Sequence, residues 1–113
     1  TWSGDTGGGP RPLVATLNFA MCGHTNTTCD LDITSPASIH YSFLLTWTQQ
    51  NVWAYHFYPW NLSKEREEMY RSYSMLRSSL FPYIYKYAHD AYVTGLPIVR
   101  PLSLQFEETS KFV

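Results

Sequence analysis

The chain opens with TWSGDT, which places an indole at Trp2 and a carboxyl at Asp5 three positions apart, followed at once by GGGP. That pair of residue types can do acid chemistry. Burial against an apolar ring disfavours the carboxylate anion and raises its pKa, so a carboxyl beside an indole can hold a proton near neutral pH and deliver it to a leaving group. The plainer alternative is a solvated charge at a chain end, where residues are usually frayed and polar. Further chemistry-bearing residues are the carboxyls Asp30 and Asp32 and the histidines at 24, 40, 56 and 89. Cys22 and Cys29 are the only cysteines, and without a second pair their spacing argues against a zinc site. A disulfide has no support, so buried free thiols are expected. The triplets Asn26-Thr27-Thr28 and Asn61-Leu62-Ser63 fit glycosylation acceptors, although such triplets also arise by chance.

Composition narrows the partners. The 113 residues are enough for one small domain with one core, and 44% hydrophobic and 17% aromatic content argue against disorder. Aromatic rings with polar edges serve both ordinary cores and sugar-binding clefts. A formal charge of −1 with no basic stripe argues against nucleic acid as a partner. No apolar run reaches the ~18 residues of a membrane span, and the first residues lack a signal-peptide pattern.

The elements that must position these residues follow from spacing and caps. The GGGPRP stretch over 7–12 reads as a loop, and Leu13, Val14, Leu17, Ala20 and Met21 then predict a helix of about ten residues closed at Gly23. Thr27, Thr28, Cys29 and Leu31 predict a short strand, with Asp30 and Asp32 near its end. Ser35-Pro36 opens a second helix through PASIHYSFLLTWTQQ, with Ile39, Phe43, Leu44 and Trp47 on one face. NVWAYHFY predicts a strand at about 51–56. Ser63 caps a long helix whose first turns carry Glu65, Glu67 and Glu68, favourable at an N-terminus. Its apolar face runs Met69, Tyr73, Leu76, Leu80, Tyr83, Ile84, Tyr87; Pro82 should kink it and Gly95 and Pro97 stop it. The tail PIVRPLSLQFEE reads as a last strand. Helices alternating with strands in this order predict parallel β/α units too few to close on themselves, hence part of a larger barrel or sheet.

Three stretches resemble glycoside hydrolase family 31, the retaining α-glycosidases that include α-glucosidases and α-xylosidases. They are TWSGD, GHTNTTCDLD, and the run RSYSMLRSSLFPYIYKYAHDAYVTGLPIVRPL with Leu76 to Tyr83, Gly95-Leu96-Pro97 and Arg100-Pro101-Leu102 as its core. Together they span residues 1 to about 106. The resemblance implies an α/β fold, the C-terminal portion of a (β/α)8 TIM barrel, incomplete in this chain. On that reading residues 1–100 are the last third of the catalytic barrel and 101–113 begin a following β-sandwich domain.

The same resemblance implies the site. Asp5 corresponds to the acid/base of the family's W-x-G-D loop, and Trp2 to the Trp lining the glycone pocket. Retention also needs a nucleophilic carboxylate about 5–5.5 Å away. The family's W-x-D-x-N-E-type nucleophile motif does not occur in these residues, so taken alone they are expected to be inactive. The Gly-Gly-Phe that follows the sugar-contacting Asp in many members is absent, which leaves Asp30 or Asp32 for that role, or His24 to reach the sugar instead, with solvated loop carboxylates as the plain alternative. His56, in Tyr55-His56-Phe57-Tyr58, stands where many members have Arg-Asn-His and is the candidate glycone contact; a core histidine is its alternative. His40 and His89 read as structural. The implied partner is a carbohydrate, joined by the rest of the barrel and the β-sandwich, with no metal or organic cofactor.

Two other readings differ in class. In one the chain is a non-catalytic relative, a carbohydrate-binding or scaffold module, for which the altered Asp and His motifs leave room. In the other it is an independent helical domain. That reading requires the strands to pair within the chain and the long apolar helix face to be covered; exposed edges and core faces would predict poor solubility.

Overall fold

The computed structural model describes residues 10–31, 33, 35–47, 49–50 and 58–106. Helix α1 spans Pro10–Met21, strand β1 Asp30–Leu31, α2 Pro36–Ser42 and β2 Gln49–Gln50. A 3-10 turn at Pro59–Asn61 leads into α3 (Lys64–Ser79), α4 (Phe81–Thr94) and a last helical turn, α5 (Leu102–Gln105).

The local signals for helix ends hold. Ser35 Oγ accepts from the Ser38 amide at 3.1 Å, and Pro36 sits in the first turn where its missing N–H costs nothing. Ser63 caps α3 by accepting from the Arg66 amide, with Glu65 and Glu67 in the first turn. Gly95 closes α4 in the left-handed region, φ +76°, where a side chain would be strained.

The expected partial (β/α)8 barrel is not formed. The described residues are mostly helical, and their strand content is two residues of β1 paired in parallel with two of β2, Asp30 opposite Gln49 and Leu31 opposite Gln50. A parallel strand in a barrel is buried by neighbours on both sides. Here the pair has no third strand among the described residues, and α2 packs more on α3 than on β1. The strand expected at 51–56 falls almost wholly outside the described residues.

Three helix boundaries also differ from expectation. The first helix begins at Pro10, inside the predicted loop, and buries Thr16 and Ala20 while leaving Val14 and Met21 exposed. Pro82 divides the long helix: Leu80 is the turn between α3 and α4, because a proline near a helix start lacks the amide that would continue the ladder behind it. The tail that reads as a strand carries the turn α5 instead.

The second helix stops at Ser42, short of its predicted extent, and this shifts the buried face from Leu44 to Leu45. Backbone carbonyls in the turn that follows α2 need donors that neither helix nor ladder gives, and Arg77 of α3 supplies them. Its Nη1 donates to the Phe43 carbonyl at 3.1 Å and to that of Leu45, and its Nη2 to that of Thr46 at 2.8 Å. A planar guanidinium with five donors suits such a cluster of oxygens, and its charge opposes the negative end of the helix. Burial lowers the Arg77 pKa from its usual value without threatening its charge.

Around this clamp lies the main core. Ile33, Ile39 and Phe43 are buried against Leu62, Met69, Tyr70 and Tyr73. Phe43 meets Tyr70 edge-on with ring centres 5.0 Å apart, and His40 Nδ1 hydrogen-bonds the Tyr73 hydroxyl. His40 is structural, as its mid-helix position predicts. A second cluster sets Cys29 and Leu45 against Tyr41 and Val99.

Replacing Arg77 by Ala should leave carbonyls of the α2–β2 turn without donors and destabilise the fold by about 3 kcal/mol. Urea denaturation followed by far-ultraviolet dichroism measures this. Arg77→Lys should recover only part of the loss, because an ammonium cannot span the same three oxygens.

Candidate functional site

Of the six residues predicted to form the site, the structure describes two. Trp2, Asp5, Asp32 and His56 lie outside the described residues. Asp30 stands on β1 and is buried, 2% exposed. His24 is exposed in the loop after α1 and meets Phe19 edge-on at 5.4 Å. Different elements therefore place them: a helix end positions the imidazole, and the strand pair positions the carboxylate.

The setting of Asp30 is a polar seam. Gln49 Nε2 donates to its Oδ1 at 3.1 Å, across the same register at which the two backbones pair. Upstream, Thr46 Oγ1 donates to the Thr27 carbonyl at 2.8 Å, and Thr28 Oγ1 to the Trp47 carbonyl at 2.7 Å. Each of these ties joins residues 19 apart. Side chains thus continue the parallel register where regular strand has not begun. Buried polar groups require such partners, since an unsatisfied one costs its full desolvation.

Cys29 is fully buried beside this seam. Burial first, and the neighbouring Asp30 charge second, push its thiol up to about 11. The native chain therefore holds this proton more tightly than an unfolded one. Stability falls as pH rises from the ordinary thiol range towards 11, because the unfolded thiol ionises first. Cys22 is a free thiol at the surface, so burial holds for only one of the two cysteines.

Gln49 and Arg77 are the residues that sequence reasoning missed. Gln49 carries no signal, because only the register reveals its partner. Arg77 lies within a quoted motif, yet its targets are 31 to 34 residues away in sequence. Among the described residues no three His, Cys, Asp or Glu side chains gather as a metal site, and no helix is long and apolar enough to cross a membrane.

Fifty residues of the chain are 40% identical to a probable glucan 1,3-alpha-glucosidase of Oryza sativa subsp. japonica. A 50-residue stretch is likewise 40% identical to an alpha-xylosidase of Saccharolobus solfataricus, and one is 38% identical to a probable glucan 1,3-alpha-glucosidase of Arabidopsis thaliana. Over such a stretch the chain is related to α-glycosidases. Each match covers 44% of this chain and 5–7% of the relative, and it is consistent with a relationship to glycoside hydrolase family 31. No family profile matches the chain, and no solved structure does.

At pH 8 a thiol reagent should label Cys22 quickly and leave Cys29 unreacted in the folded chain, with both reacting in denaturant. Gln49→Ala should unseat the Asp30 tie and make Cys29 reactive without denaturant, as read by mass spectrometry of the labelled peptides.

Proposed function

We propose that these residues belong to a retaining α-glycosidase acting on α-linked glucosides, xylosides or oligosaccharides by double displacement, with Asp5 as general acid/base. The observation that carries this reading is the stretch of 50 residues shared at 38–40% identity with α-glucosidases and an α-xylosidase. The TWSGD stretch supplies the residue types that proton delivery needs. A glycosidic oxygen is a poor leaving group until protonated, and an indole beside the carboxyl favours the protonated acid.

On this reading Trp2 walls the glycone pocket, and Asp30, Asp32, His24 and His56 are the set from which sugar contacts are drawn. The seam around Asp30 supports a positioning contribution in particular, because it ties the segment entering β1 to the segment entering β2. The nucleophilic carboxylate comes from outside these residues, and hydrolysis then requires no metal.

The non-catalytic alternative draws on the missing Gly-Gly-Phe and Arg-Asn-His patterns, and one pair of measurements separates it from the enzyme. In a form of the protein that carries both carboxylates, Asp5→Asn should lower turnover of natural α-glucosides by about 10²–10⁴-fold. Aryl α-glycosides with activated leaving groups, which need no proton, should lose far less in the glycosylation step. Wild-type rates in the Asn variant on natural substrates would exclude the assignment.

A further inference from the structure

The 3-10 turn before α3 presents an aromatic surface that the core does not use. Trp60 is 70% exposed, while Tyr58 stacks on its indole nearly parallel, at 11° and 5.0 Å between ring centres. Pro59 between them restricts the backbone and the turn closes with Leu62 N–H on the Pro59 carbonyl, so the two rings are held together rather than swept by a loose loop. A large indole left in water and already backed by a second ring is unusual in a surface built only for packing.

Trp60 forms one wall of a cleft of about 320 Å³, and the far wall is the middle of α3, from Glu67 to Met75. Glu67, Tyr70, Arg71 and Ser74 contribute its polar groups. Glu67 and Arg71, one helical turn apart, are paired at 3.4 Å, so the rim offers both acceptors and donors while its charges cancel. The volume lies in the range of small-ligand sites, about 300–1,000 Å³.

A flat apolar ring beside neutralised, hydrogen-bonding side chains matches one ligand chemistry closely. A pyranose has an apolar face of C–H groups that stacks on an aromatic ring, and hydroxyls around its edge that both donate and accept. Charged ligands gain little from a rim whose charges already cancel. We propose that the Trp60 cleft is a carbohydrate-binding platform, an assignment independent of whether Asp5 is catalytic.

The test is calorimetric titration of the intact chain with maltoheptaose, a xyloglucan heptasaccharide and cellohexaose. At least one should bind, and Trp60→Ala should weaken that binding about tenfold, the loss expected from one stacking ring. Trp60→Tyr should restore part of it, with the dichroism of all variants unchanged. Asp5→Asn should bind as the wild type does, which separates this platform from the proposed active site. The proposal is overturned if no oligosaccharide binds the wild type, if Trp60→Ala binds equally well, or if Asp5→Asn abolishes the binding.

Discussion

Arg77 holds the fold together because it ties the last turn of α3 to the turn that follows α2. Its guanidinium reaches across from α3 to the carbonyls of Phe43, Leu45 and Thr46. Those oxygens belong to backbone that has left α2 but has not yet entered β2, where neither helix nor ladder supplies donors. With them satisfied, α2 can stop at Ser42 and the chain can turn towards β1. The same contact draws α3 onto α2, and the stacking of Phe43 with Tyr70 and Tyr73 follows from that approach.

The polar seam depends on this turn. Thr46 can reach the Thr27 carbonyl only if its backbone is placed, and Arg77 places it. From there the constant offset carries through Thr28 and Trp47 to Asp30 and Gln49. Two residues of parallel ladder are weak alone, and side-chain bonds before it and at its first pair add support. Cys29 and Leu45 fill the apolar space beneath. The buried carboxylate, the protonated thiol and the helix clamp are thus one connected arrangement rather than separate features.

Much of the helical structure was legible from residue types. Ser35-Pro36, Ser63 and Gly95 act through neighbouring backbone groups, so their effect is local and readable in order along the chain. The α4 face, by contrast, shows how far periodicity falls short. Its apolar repeat is regular, yet of the expected face Tyr83 remains exposed, as does Leu76 on α3. Spacing shows that a face exists; it does not show what covers it. The strands were expected from β-favouring residues, but a ladder needs a partner of matching register, and among the described residues the paired strands are only two residues long each.

The sequence by itself determined the helix caps at Ser35, Ser63 and Gly95, the Trp2–Asp5 pairing of types, and the relationship to α-glycosidases over part of the chain. Each rests on residues near one another in the chain or on identity position by position. The tertiary structure alone decided that α2 ends at Ser42, that Asp30 is buried against Gln49, and that Trp60 stands exposed on Tyr58 beside α3. The first two depend on groups 19 to 34 residues apart. The third depends on side-chain orientation, which residue spacing does not encode.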